Sequence, residues 1–81
     1  MTQSSIREQI AELAFFLPNE RIERVVRLES ETLIKLSDVR SRATRSTDRF
    51  EHYADMLIIQ ELEARLEFLR GLKFDLVKAG Q

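Results

Sequence analysis

The chain has 81 residues, 13 basic and 14 acidic, with a net charge of −1, no cysteine and a single histidine, His52. A chain this short forms one domain and buries a small fraction of its surface, and it has no disulfide or thiolate metal site to brace it. One histidine argues against structural zinc, and the charge balance argues against a dedicated nucleic-acid-binding domain.

The longest apolar run in the first twenty residues, Leu13–Leu17, is too short for a signal-peptide core or a membrane span. The expectation is a cytoplasmic protein that does not enter a membrane. Two glycines and one proline leave few breaks and favour long helices over a sheet.

The first predicted helix covers residues 5–17. Ser5 and Glu8 have the spacing of a capping box. Ile6, Ile10, Leu13, Ala14 and Leu17 share one face, and Phe15 points away from it, towards a second neighbour. Pro18 ends the helix, because it has no backbone donor and disfavours helical geometry at the residue before it. The second helix, 19–43, starts at Asn19 as N-cap with Glu20 in its first turn. Ile22, Val25, Val26, Leu33 and Leu36 make its apolar stripe. Glu20–Arg24, Glu23–Arg27, Glu31–Lys35 and Asp38–Arg42 are acid-to-base pairs four residues apart on its outer side. Thr44, Ser46, Thr47 and Asp48 are weak helix formers, so a short break is expected before a third helix, 48–78. The rival reading is one unbroken helix, since neither Gly nor Pro intervenes.

The third helix carries the functional signal. Ile59, Leu62, Leu66, Leu69 and Leu76 recur at steps of three and four, with Lys73 the one polar interruption, as in a coiled-coil seam. A second set lies beside them: Phe50, Leu57, Ala64, Phe68 and Leu72, with Ala54 and Ile58 at its margin. A surface helix needs one apolar stripe, so two stripes imply neighbours on two sides. Ala64 and Gly71, a heptad apart, would let another helix approach closely. Two readings follow. Either both seams form the core of a three-helix bundle, or one is covered by the chain itself and the other by a second chain. The intermolecular reading makes Phe15, Leu57, Ile59, Leu62, Ala64, Leu66, Phe68, Leu69, Gly71, Leu72 and Leu76 the partner-binding set. Glu29, Arg40 and Arg65 are polar residues on or beside apolar faces. They either fix register as a polar layer or snorkel to solvent.

Chemistry-bearing constellations are sparse. Asp48, His52 and Asp55 lie at helical spacing but lack a second histidine, so an ion-paired surface His52 is expected. No phosphate-binding glycine loop or metalloprotease motif is present. The expectation is no enzyme and no cofactor. The segment from Arg40 to Arg49 holds four arginines, Arg40, Arg42, Arg45 and Arg49, against one aspartate. It supplies an alternative reading, a basic turn contacting phosphate or an acidic partner. The leading expectation is an all-α bundle of a short helix and two long ones, with a coiled-coil-like hairpin completed by oligomerisation. It would act as a non-catalytic adaptor, assembly factor or small chaperone-like protein. Its partner would be itself, as a homodimer or higher, or a helical client.

Overall fold

The structure, a computed structural model, describes residues 5–80. The fold is all-α. Helix α1 (Ile6–Ala11) runs into a 3-10 turn (Glu12–Phe15), and two long helices follow, α2 (Pro18–Arg45) and α3 (Arg49–Ala79).

The caps explain the boundaries. Ser5 Oγ accepts a hydrogen bond from the Glu8 backbone N–H at 3.2 Å, as the capping pattern predicts. The first helix is shorter than the expected 5–17. It tightens to 3-10 geometry at Glu12 and turns extended at Phe16. That change rotates the chain, so Phe16 rather than Leu17 joins the core, and Leu17 is left exposed. Pro18 both ends the first segment and opens the second. It sits at the first position of α2, where its missing N–H costs nothing, and Leu17, not Asn19, is the N-cap. The Leu17 N–H donates to Glu20 Oε2 at 3.3 Å. Arg21 ties the two segments together, donating from Nε to the Leu13 carbonyl at 2.7 Å. The break falls at Ser46–Asp48, which excludes the unbroken helix. Asp48 Oδ1 accepts from the N–H groups of Phe50 and Glu51 at 2.8 and 3.3 Å, capping α3.

Helices α2 and α3 form an antiparallel hairpin. Arg42, near the turn, meets Asp55, and Glu29, near the open end, meets Lys73. Two apolar clusters fill the space between them. Leu36, Ala43, Ile59, Leu62 and Leu66 lie towards the turn, with Val39 against them. Leu13, Val25, Leu28 and Leu69 lie towards the open end, where Ile6, Ile10, Phe16, Leu72 and Leu76 close over them. The inner face of α2 therefore runs through Val25, Leu28, Thr32, Leu36 and Ala43. The expected stripe was rotated from this: Val26 and Leu33 are about two-fifths exposed. Thr32 is the reason. It is buried at the centre of the face, and its hydroxyl donates to the Leu28 carbonyl at 2.7 Å, so a residue that reads as polar fits an apolar interface.

The molecule measures 49 × 30 × 14 Å, with a radius of gyration of 15.2 Å. A compact domain of this length would have a radius of roughly 12 Å. Its accessible surface is 6477 Å², against about 5,000 Å² for a compact protein of its mass. The third helix, about 46 Å long at 1.5 Å per residue, outruns the six-residue α1 that covers it at the open end.

Candidate functional site

The inner seam of α3 is used within the chain. Asp55, Ile59, Leu62, Leu66 and Leu69 are buried against α2 at steps of four and three. Of the expected partner-binding residues, Ile59, Leu62, Leu66 and Leu69 are thus interior to the hairpin. Leu72 and Leu76 are half-buried under α1. These six have little or no surface to offer another molecule in this arrangement.

Both polar breaks in the seam are answered by α2. Lys73 donates to Glu29 Oε1 at 2.9 Å, and Arg70 lies 3.4 Å from Oε2. The Lys73 hydrogen bond, helped by both positive charges, holds the Glu29 carboxyl below the usual carboxylate range against the opposing effect of burial. At the other end, Arg42 donates through Nε and a terminal nitrogen to Asp55 Oδ1 at 3.1 and 2.8 Å. That hydrogen bond raises the guanidinium pKa further.

The outer face of α3 is where the surplus lies. Phe50, Ala54, Leu57, Glu61, Ala64, Phe68 and Gly71 follow one another at alternating steps of four and three, and all are exposed. Phe50 is 71%, Leu57 58% and Phe68 58% exposed. This is a second heptad line on the side of α3 away from α2. Tyr53 and Phe74 flank it, both exposed, and Tyr53 meets Phe50 edge-to-face at 6.4 Å between centroids. A Cβ built on Gly71 would meet nothing within 4 Å, so no neighbour in the chain requires glycine there. Beside Phe68, a notch of about 350 Å³ is lined by Ile6, Arg7 and Ile10 from α1 and by Arg65 and Phe68 from α3. Phe15, 87% exposed, stands apart at the end of the 3-10 turn.

The arginine-rich turn is partly neutralised. Arg40 pairs with Glu63 at 2.8 Å, and Arg42 with Asp55. Arg45 bonds to the Ser41 carbonyl, and Arg49 stacks over Phe50 at 5.2 Å from its centroid. The trio around His52 separates by role. Asp48 caps α3, Asp55 binds Arg42, and His52 Nδ1 lies 3.2 Å from the Ala43 carbonyl, closing the last turn of α2. Among the described residues no group of three or more His, Cys, Asp or Glu side chains is placed to hold a metal ion. Among the same residues no helix is long and apolar enough to cross a membrane. A concavity between α1 and the side of the hairpin is lined mainly by polar side chains, Glu12, Arg24, Glu31, Lys35 and Arg65 among them.

Sequence reasoning set Phe50, Leu57, Ala64, Phe68 and Leu72 on a second seam with Gly71 at its flank; the fold leaves Phe50, Leu57, Ala64, Phe68 and Gly71 exposed and half-buries Leu72 under α1. It missed Tyr53, Glu61 and Phe74. The signal for Glu61 was its place in the four-and-three series, which counting apolar residues alone passes over. Comparison with protein-family models, with curated proteins and with solved structures found no match for this chain.

Proposed function

We propose that the chain is a non-catalytic helix-association module, an adaptor, assembly factor or small chaperone-like protein of the cytoplasm, working through the outer face of α3. One observation carries the reading. The heptad line from Phe50 to Gly71 remains exposed after α2 has covered the inner seam. Contiguous apolar surface of this kind marks an interaction site on a soluble chain. Its four-and-three spacing is the spacing that receives another helix. The ion pairs of Arg40 and Arg42 favour this reading over the phosphate-binding turn, because half of the candidate arginines already have carboxylate partners.

The test is concentration dependence of unfolding in the wild type and in a Leu57→Glu/Phe68→Glu double variant. Association stabilises a fold by mass action, so the wild-type Tm rises with protein concentration. The variant keeps its helical circular dichroism, because both side chains are exposed, and its Tm does not move. A wild-type Tm that is independent of concentration, with no helical partner bound at the face, contradicts the reading.

A further inference from the structure

We infer that the outer face of α3 pairs antiparallel with the same face of a second copy, about a twofold axis lying between Leu62 and Glu63; this rests on the helix-association reading and adds its occupant and register.

The area fits a second copy. Over its whole surface the chain exposes about 1,500 Å² more than a compact protein of its mass, and a standard interface takes about 800 Å² from each partner, which that surplus can supply.

Orientation follows from the charges. A parallel pairing sets Glu61 against its own copy, and like charges facing each other across an interface are costly. An antiparallel pairing about the stated axis matches unlike layers throughout. Leu57 meets the partner's Phe68, two large apolar side chains. Ala54 meets the partner's Gly71, two small residues that let the helices close up. Glu61 meets the partner's Ala64 and lies beside the partner's Arg65. Glu61 and Arg65 have no ion-pair partner among the described residues of their own chain. The twofold axis supplies each with one, twice over.

The short α1 fits the same geometry. It covers α3 only at the open end and leaves the notch beside Phe68. In the stated register that notch faces the partner's Leu57 and Ile58, which no α1 covers in their own chain. At the ends, Phe50 and Tyr53 come alongside the partner's Phe74. An isologous interface requires such self-complementarity, each residue meeting what its copy offers.

The chain has no cysteine, so single cysteines report register cleanly. Ala54→Cys and Gly71→Cys variants are mixed, exchanged and treated with a short bismaleimide, with sedimentation on the same samples. The expected result is a mixed cross-link between the two variants and none within either alone, where the two cysteines lie about 25 Å apart along the axis. Cross-linking within Ala54→Cys alone shows a parallel pair and overturns the inference. A dimer by sedimentation that yields no cross-link of either kind uses another surface; this overturns the inference and leaves association standing. A monomer that binds no added helix at this face overturns both, and a monomer that binds an added client helix there overturns only the second copy as occupant. Glu61→Arg weakens the dimer by about tenfold or more, and adding Arg65→Glu to it restores affinity.

Discussion

Glu29 and Asp55 are the two carboxylates that the hairpin places against its own core, and each is held by a cation on the opposite helix. Because the folded-state pKa of Glu29 is lowered, its contribution to stability is present above the ordinary Glu value of roughly 4.3. It is lost as pH falls through the lower folded value. Glu29→Gln therefore costs about 1 kcal/mol at neutral pH, and the wild-type advantage shrinks in urea titrations carried below pH 4 or so. A difference that stays constant with pH contradicts this assignment. The Arg42–Asp55 pair is asymmetric, since Arg42 is 59% exposed and Asp55 only 9%. Arg42→Ala leaves a buried carboxylate unpaired and destabilises the hairpin. Asp55→Ala frees an arginine that water can solvate, and costs less. Equal losses in chemical denaturation contradict the account. Neither pair was legible beforehand. The partner of Asp55 lies thirteen residues away on another helix, and within α3 alone the visible company was Asp48 and His52. Lys73 was legible as a break in the seam, but its answer from Glu29 depends on how the two helices register.

Among the elements, α3 was the most readable, because its apolar residues repeat at three and four over its whole length. The inner seam was read as a seam. What the sequence could not assign was which of the two lines the chain itself would cover, since periodicity is the same for an intramolecular and an intermolecular neighbour. Helix α2 was harder. Its buried face is centred on Thr32 and ends on Ala43, residues of low hydropathy, while Val26 and Leu33 pull the apparent stripe sideways. Gly71 tests the independence of the outer line from the hairpin. With nothing within 4 Å of a Cβ there, Gly71→Ala stabilises the isolated chain by about 1 kcal/mol through helix propensity. A destabilised variant, measured by thermal unfolding at low concentration, shows a neighbour that the hairpin does not contain. The cap of α3 gives a simpler check. Asp48→Ala removes the acceptor for two backbone donors and costs about 0.5–2 kcal/mol in the same measurement.

At the scale of the molecule, the dominant fact is thinness. A hairpin 14 Å through has one interface and two broad flanks, and α1 covers only part of one flank. Leu69 and Val25, both fully buried, show that the interior is closed where three segments meet. Towards the turn only two helices are present, and there Phe50, Leu57 and Ile58 face outward. The fold class followed from composition and periodicity, but the shape depends on the brevity of α1, which the 3-10 turn at Glu12 cuts short. With α1 packed at the open end, the outer line of α3 stays uncovered, unlike in the three-helix bundle that the sequence left open as a rival. The central claim is that this line holds a second copy. The native mass of the purified chain, measured by sedimentation from micromolar to near-millimolar concentration, tests it most directly. The account predicts a shift from 9.5 kDa to twice that mass, abolished by Leu57→Glu/Phe68→Glu with helicity intact; a folded species of the single-chain mass at every concentration would contradict it.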